Sequence, residues 1–287
     1  MTQSILQFTS TDPNTSATTT TLAFGSNVTT GSTILVWTVL NFASFGATPF
    51  QDTLGNTYHL VTKAQSSAGP GNQTLYLYAA YNSPGGANTV QMNLGSSQSV
   101  RALGIMEVGG TAASPLDGSA NNDQTSPGTG AGAVLSGTAT SARQPAIAIA
   151  FSWPIFTNSA PTAVSPYTNE GTFFGSGDTG PGRCEYRNLT TTGSQQATFT
   201  ATAGTTEHLS LIVVLDAIQN IALTGVSGSV GATNITPKLA ISAAGVSGSA
   251  GVATAANKSL IGVGSGSMGI ANLYNASETV FFTAIGV

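Results

Sequence analysis

Short runs of apolar, β-branched and aromatic residues recur along the chain, and each run is bounded by Gly, Pro, Asn or Ser. No longer window places its apolar positions at the spacing of a helix face. Runs of this length with turn residues between them are typical of β-strands. We therefore expect strands near 32–40, 57–61, 74–81, 88–94, 101–108, 146–153, 170–174, 183–189, 196–201 and 208–216.

Many short strands joined by regular turns predict an all-β fold, either a β-sandwich or a jelly roll. The pattern occurs twice. Segment 34–40 resembles 146–152, and segment 102–108 resembles 209–215. We therefore predict an internal duplication, in which each half supplies strands to both sheets of one sandwich.

The boundaries of this sandwich follow from changes in composition. Residues 113–137 are rich in Gly and poor in apolar side chains, which predicts a long loop. The sandwich is then expected to cover 1–217, with halves at about 1–112 and 138–217. A Gly- and Ser-rich module follows at 218–287.

This last module repeats itself. Segment 222–231 returns as 242–251 and, less closely, as 260–269. A fixed period of this kind is typical of stacked units that cannot bury a core alone, so we expect the module to form β-structure and to oligomerise, most plausibly as a homotrimer. The residues expected to carry the oligomerisation are Gly225, Val226, Gly228, Gly231, Gly245, Val246, Gly248, Gly251, Gly262, Val263, Gly266 and Gly269.

Charge excludes one class of partner. Only 6% of the residues are charged, the net charge is −4, and the basic residues are scattered. Nucleic-acid binding depends on Lys and Arg that neutralise phosphates, so we expect none. The apolar runs are too short to span a bilayer, and we expect no membrane span.

The single cysteine, Cys184, excludes an internal disulfide and a multi-cysteine zinc site. No ligand spacing indicates a metal or a cofactor, and we predict neither. The first residues lack both a basic region and an apolar run, so no secretory signal is indicated. A hydroxyl-rich surface protein without such a signal fits a protein that is made in a cytoplasm and released inside a larger particle.

Catalytic residues are few. The two histidines, His59 and His208, lie in strand patterns and outside any nucleophile motif. Glu107 interrupts an apolar strand, and we interpret it as an outward-facing residue. Asp216 closes the equivalent strand of the second half, which favours a structural role for both. We therefore expect no catalytic residue and no enzyme, although a carboxylate pair for glycoside hydrolysis stays open.

Aromatic residues form the candidate contact surface. Phe42, Phe45 and Phe50 flank Gly46 in a loop-like stretch, and Tyr76 and Tyr78 share one face of a strand. Exposed aromatic residues of this kind make contact patches. The alternative interpretation is that they line the core or cap the sandwich.

Two features resemble a known family. Segment 225–231 and its copies resemble the small-residue repeats of tailed-bacteriophage virion proteins. Segments 50–58 and 75–82 look like a β-sandwich module of phage and bacterial surface proteins. The resemblance implies a non-enzymatic particle component of the fibre, spike or capsid-decoration type, and it carries over no catalytic residue.

Three hypotheses follow. The first is a structural protein of a tailed-phage virion that mediates assembly, stabilisation or host-surface contact. Its partners would be copies of itself, other virion proteins and a host-surface glycan. The second is a carbohydrate-binding module of a bacterial surface protein. The third is a virion-associated glycan hydrolase, which would need Glu107.

Overall fold

The computed structural model describes residues 3–13, 15–41, 44–67, 73–98, 101–125, 132–155, 160–174, 181–201, 207–224, 233–235, 239–244, 253–256, 260–263 and 272–274. Thr2–Ala217 form one compact unit, and Ile218–Val287 with Met1 form another. The described residues contain β-strands and no helix, which confirms the predicted all-β class.

The first half of the larger unit contains eight strands in two antiparallel sheets. The strands are β1 (Ser4–Thr11), β2 (Ala17–Ala23), β3 (Thr33–Asn41), β4 (Phe45–Asp52), β5 (His59–Gln65), β6 (Gln73–Ala80), β7 (Thr89–Gln98) and β8 (Arg101–Gly109). Five of them form a sheet in the order β1-β8-β3-β6-β5, and the other three form a flanking sheet in the order β2-β7-β4.

The second half is built from ten shorter and longer strands. They are β9 (Thr111–Thr125), β10 (Ala133–Leu135), β11 (Ala139–Ser141), β12 (Ala146–Ile155), β13 (Thr162–Ala163), β14 (Thr168–Phe173), β15 (Gly182–Leu189), β16 (Gly193–Gln195), β17 (Thr198–Thr200) and β18 (Glu207–Ala217). The large sheet has the order β14-β15-β12-β18-β9, and it is flanked by the sheets β10-β17-β13 and β11-β16.

The two halves share one strand order. Read from β9, the second large sheet runs β9-β18-β12-β15-β14, which matches β1-β8-β3-β6-β5 position by position. The flanking order β2-β7-β4 likewise matches β10-β17-β13. The segments that resemble each other in sequence therefore occupy equivalent strands, β3 with β12 and β8 with β18.

One part of the duplication prediction is wrong. Each large sheet takes all its strands from one half, so the halves do not share sheets. The sandwich of the two large sheets is instead closed by packing, with a core of alternate residues from both halves. Alternation alone says which residues share a face, and it does not say which strand lies beside which.

The central core is aromatic at its middle. The Trp37 ring lies 4.9 Å from that of Phe151 and 5.5 Å from that of Phe8, centroid to centroid. Gly104 faces Trp37 across the β3–β8 pair, and a Cβ at position 104 would overlap the Trp37 ring. In the second half, Val213 faces Ile149 at the equivalent place. A large and a very small residue in one half thus replace two medium residues in the other.

Two predicted loops are strands. Most of 113–137 is taken up by the end of β9 and by β10, and β9 pairs with β18 as an edge strand. The strand β9 was not predicted because most of its residues are polar. An edge strand with one solvated side needs no apolar run. The loop-like stretch after Phe42 is β4, which contains Pro49 and carries an irregular register between Phe45 and Phe50.

The described residues of the smaller unit form parallel strands. They are β19 (Gln219–Thr224), β20 (Thr233–Ile235), β21 (Leu239–Ala244), β22 (Ala253–Ala256), β23 (Leu260–Val263) and β24 (Asn272–Tyr274). The sheets run β19-β21-β23 and β20-β22-β24. Ile221 pairs with Ile241, and Thr233 pairs with Ala253, so the register follows the repeat of the sequence.

Among the described residues, these repeats pair within one chain. Of the residues expected to carry oligomerisation, Gly262 and Val263 lie in β23. The others fall outside the described residues. Oligomerisation and the jelly roll stay predictions.

Candidate contact surface

The predicted contact residues lie in and around an outer core, between the first large sheet and its flanking sheet. Phe50 and Tyr78 are buried there, at 3% and 8% exposure. Their burial agrees with the alternative interpretation, in which these rings line the core. Phe45 and Tyr76 are half-buried against the same core. Phe42 lies outside the described residues.

These rings form one continuous cluster. Phe45 meets Tyr76 edge-on at 5.0 Å between centroids, and Phe50 lies 4.8 Å from Tyr78. Tyr58 extends the cluster at 6.0 Å from Phe50. Edge-to-face and tilted pairs at these distances are favourable, so Phe45 and Tyr76 are held in place from beneath.

The cluster opens to solvent at β5. The flanking sheet has three strands against five, and β5 is the outermost strand on this side. A register shift between Leu60 and Thr62 interrupts the pairing of β5 with β6. Leu60 is 49% exposed, and Lys63 is exposed two residues beyond the shift.

Lys63 adds a positive charge to this opening. Its Nζ lies over the Tyr76 ring, 5.8 Å from the centroid, a cation–π distance. Within residues 1–217 it is the only lysine. Among the described residues it pairs with no carboxylate. We call the surface formed by Phe45, Leu60, Lys63 and Tyr76 the β5 margin.

Glu107 does not face outward. It is 1% exposed, and its two oxygens accept hydrogen bonds from the Gln7 side-chain amide at 2.6 Å and from the Thr29 backbone N–H at 2.7 Å. The prediction of an outward orientation is wrong, because Gln7 on the neighbouring strand β1 and Thr29 in the segment after β2 enclose this side chain. Both oxygens tie neighbouring segments together, which is a structural use of a carboxylate.

Asp52 ties the chain between β4 and β5. Its carboxylate accepts hydrogen bonds from the N–H groups of Leu54 and Asn56, from the side-chain amides of Asn56 and Asn88, and from the Tyr58 hydroxyl. Burial alone would raise the pKa of Asp52, but these hydrogen bonds outweigh burial and lower it. Burial, together with the hydrogen bond to the Asp52 carboxylate, raises the pKa of the Tyr58 hydroxyl.

Asp216 stands where Glu107 stands in the other half, since Asp216 pairs with Ala146 and Glu107 with Ile34. Arg143 Nη1 lies 2.7 Å from its Oδ2. Burial, together with repulsion from Asp117, raises the pKa of Asp216 to about 6. The backbone N–H groups of Ala142 and Arg143 both donate to Asp117. This group fixes the segment before β12 against β18.

Glu207 links the two halves. It is 2% exposed and accepts hydrogen bonds from the Ser66 hydroxyl at 2.8 Å and from the Ser67 N–H at 3.0 Å. The Ser67 N–H also lies 2.9 Å from Asp123 Oδ2. Burial and the neighbouring Asp123 carboxyl raise the pKa of Glu207. The carboxyl pair thus holds the end of β5 against β18.

Polar side chains are buried in the second outer core as well. Ser152, His208 and Ser210 are at most 1% exposed, with Ser152 Oγ 3.5 Å from His208 Nδ1 and 3.3 Å from Ser210 Oγ. Burial lowers the pKa of His208 to about 4. The group resembles a serine–histidine pair in composition, but the 3.5 Å contact is long and the residues are closed off from solvent.

Glu185 is the most deeply buried charge-bearing residue described in this core, at 0% exposure. Its Oε2 accepts a hydrogen bond of 3.3 Å from the Val164 N–H, and its Oε1 has no partner. Burial raises the pKa of Glu185 to about 8. Burial also raises the pKa of the Cys184 thiol well above its ordinary value. Cys184 is a buried free cysteine that packs in the central core.

Other site chemistry is sparse in the part of the chain that the structure describes. No group of three or more His, Cys, Asp or Glu side chains is placed to hold a metal ion there. His59 is exposed and stacks on Tyr81 at 6.4 Å. The same residues contain no helix of the length and apolarity that a bilayer crossing requires.

Comparisons with protein-family models, with curated proteins and with solved structures gave no match for this chain. The fold and the β5 margin are therefore the basis for a functional proposal.

Sequence reasoning missed Leu60 and Lys63. Leu60 follows His59 in an ordinary strand pattern, and no periodicity marks it as uncovered. Lys63 did carry a signal, because a lone lysine in a stretch of more than two hundred hydroxyl-rich residues is unusual.

Proposed function

We propose that this chain is a structural protein of a tailed-phage particle, of the fibre, spike or capsid-decoration type, and that it is not an enzyme. The observation that carries the proposal is the pairing of β19, β21 and β23, and of β20, β22 and β24, at the period of the sequence repeat. A stack of this kind supplies length and shape.

The use of the ionisable side chains supports the same proposal. Asp52, Glu107 and Glu207 each accept hydrogen bonds from segments that would otherwise be free to separate. Catalytic carboxylates instead face a substrate site. A particle component needs this kind of cross-tying, since it must keep its shape outside the cell.

The proposed partners are copies of this chain, as a homotrimer, and other virion proteins. The proposed location is the virion, with assembly in the host cytoplasm. Among the described residues, the outer strands of the two parallel sheets each pair on one side only, and a strand with an unpaired side can pair with a further strand, which supports self-association through the repeat module.

Two measurements test the proposal. Antibodies raised against the larger unit should label purified particles from the source of the gene, at regular positions in negative-stain images. Light scattering of the full chain should give a mass three times that of the 28.7 kDa chain. Unlabelled particles, whose proteins lack this chain by mass spectrometry, would refute the virion assignment.

The β5 margin favours a second candidate function, carbohydrate binding. Phe45 and Tyr76 are half-buried rings in contact with each other, and exposed Leu60 lies opposite Tyr78 on the neighbouring strand β5. Rigid aromatic faces next to polar surface are suited to the apolar faces of sugar rings. Loss of glycan binding on replacing Tyr76, with folding unchanged, would support this function.

A further inference from the structure

We infer that the β5 margin binds an acidic oligosaccharide, with Tyr76 as the stacking platform and Lys63 as the partner of the sugar carboxylate. This inference rests on the contact function proposed above and names the class of ligand. The residues concerned are Phe45, Leu60, Lys63 and Tyr76.

The platform comes first. The Tyr76 ring is fixed by an edge-on contact with Phe45 at 5.0 Å and by Tyr78 at 6.5 Å. The Lys63 ammonium lies over this ring in the free protein, so a stacking sugar must replace it there while the ammonium turns to the sugar carboxylate. Because the ring contacts are already made, little side-chain entropy of Tyr76 remains to be lost in that exchange. Leu60, 49% exposed, extends the apolar surface along β5.

The charge comes second. Lys63 is exposed. Among the described residues its Nζ lies over the Tyr76 ring and forms no ion pair with a carboxylate. Acidic side chains accept hydrogen bonds at other places in the fold. Asp52 accepts them from the β4–β5 connection, and Glu207 accepts one from the Ser66 hydroxyl. A ligand carboxylate can therefore approach this ammonium without displacing an ion pair.

The combination selects the ligand class. A neutral sugar would contact the Tyr76 ring but not the Lys63 ammonium, whereas a simple anion would contact the ammonium but not the ring. A saccharide that carries a carboxylate uses both. The overall charge of −4 disfavours anions in general, so the local cation is needed to select one.

The test uses the full chain and two matched probes, a galacturonic-acid hexamer and a galactose hexamer, titrated by calorimetry at low and at 0.5 M salt. We expect the acidic hexamer to bind more tightly than the neutral one, by about fivefold, with the difference removed by salt. Equal affinity for the two hexamers, or no binding of the acidic one, would overturn the inference.

Variants separate the two roles. Lys63→Gln should remove the preference for the acidic hexamer and leave neutral binding unchanged. Tyr76→Leu, which keeps an apolar side chain in place, should weaken binding of both. Leu116→Ala is the matched control, because Leu116 is also an exposed leucine on an edge strand but lies on β9.

Each variant has a readable failure. If Lys63→Gln keeps the acidic preference, the charge assignment is wrong. If Leu116→Ala weakens binding as much as Tyr76→Leu, the site is not at the β5 margin. These results are independent of particle labelling, so failure of the glycan assignment leaves the virion proposal standing, and the reverse also holds.

Discussion

The two halves of the larger unit arrange their strands in the same order but fill their outer cores differently. In the first half, the space under the flanking sheet is filled by rings, including Phe50, Tyr58 and Tyr78. In the second half, six of the twelve buried residues of the outer core are alanines, beside larger residues such as Phe199 and Ile212. Ala146, Ala148 and Ala150 follow each other along β12 on that face.

The difference has an electrostatic side. The alanine-rich core also buries Glu185, His208, Ser152 and Ser210, all at 1% exposure or less. The ring-filled core keeps its ionisable groups at its border, where Asp52 finds five donors around it. One strand order thus tolerates two kinds of interior if side-chain volume is conserved. Among the described residues, the alanine-rich interior leaves Glu185 Oε1 and His208 Nε2 without a hydrogen-bond partner, which is costly for buried polar atoms.

The sharpest test of volume conservation is Gly104→Val. The new side chain would overlap Trp37, so we expect the free energy of unfolding to fall by about 3 kcal/mol or more in urea titrations. Introducing Trp37→Ile as well recreates the Ile149–Val213 pair of the other half, and the double variant should recover most of that loss. Additive losses in this double-mutant cycle would show that the halves are not interchangeable here.

The second prediction concerns the buried charge. The pKa of Glu185 is raised to about 8, so the folded protein holds this proton more tightly than the unfolded chain does. Its contribution to stability therefore falls as pH rises from about 4.5 towards 9. At pH 9, the free energy of unfolding of Glu185→Gln in urea titrations should exceed that of the parent by roughly 2–5 kcal/mol. At pH 4, where the Glu185 carboxyl is protonated in both states, parent and variant should be equally stable.

The control for that titration is Glu170→Gln. Burial also raises the pKa of Glu170, but Glu170 is only half-buried, so the gain at pH 9 should be clearly smaller. Equal gains for both variants would show that the alanine-rich core does not impose a special cost on charge.

The third prediction has the opposite sign. The pKa of Asp52 is lowered by its donors, so its contribution to stability is present above its ordinary pKa and is lost as pH falls through the lowered one. Asp52→Ala should cost about 2 kcal/mol at pH 7 in urea titrations, because five donors lose their acceptor. The cost should shrink at pH 2, and a cost that is constant with pH would contradict the hydrogen-bond explanation.

The smallest effect is expected at the β5 margin. Leu60→Ser changes a side chain that is 49% exposed, so the free energy of unfolding, measured by thermal denaturation, should change by no more than about 0.5 kcal/mol. A large loss would mean that Leu60 belongs to the ring-filled core and does not form part of a free surface.

The sequence was sufficient for elements that alternate or stay apolar. The strands β3, β12 and β18 were predicted close to their limits, because they are buried on both faces and read as continuous apolar runs. β9 was missed because its residues are polar, and β4 because Gly46 and Pro49 suggested a loop.

The candidate site was predicted less well than the fold. Periodicity placed Tyr76 and Tyr78 on one face, but which of the two is covered depends on where the flanking sheet ends. The importance of Lys63 depends on the ring beneath it, a contact set by pairing across β5 and β6. Neighbours across a sheet are not visible in a single sequence unless the register is already known.

The parallel pairing in the smaller unit also has a consequence for how such a chain can vary. Ile221 and Ile241 are neighbours across one strand spacing, so a gain or loss of one complete repeat would change the extent of the stack by about 4.8 Å and leave every other pairing intact. The length of the stack can therefore change in steps of one strand spacing, while the strand pairing on either side of the inserted repeat stays the same.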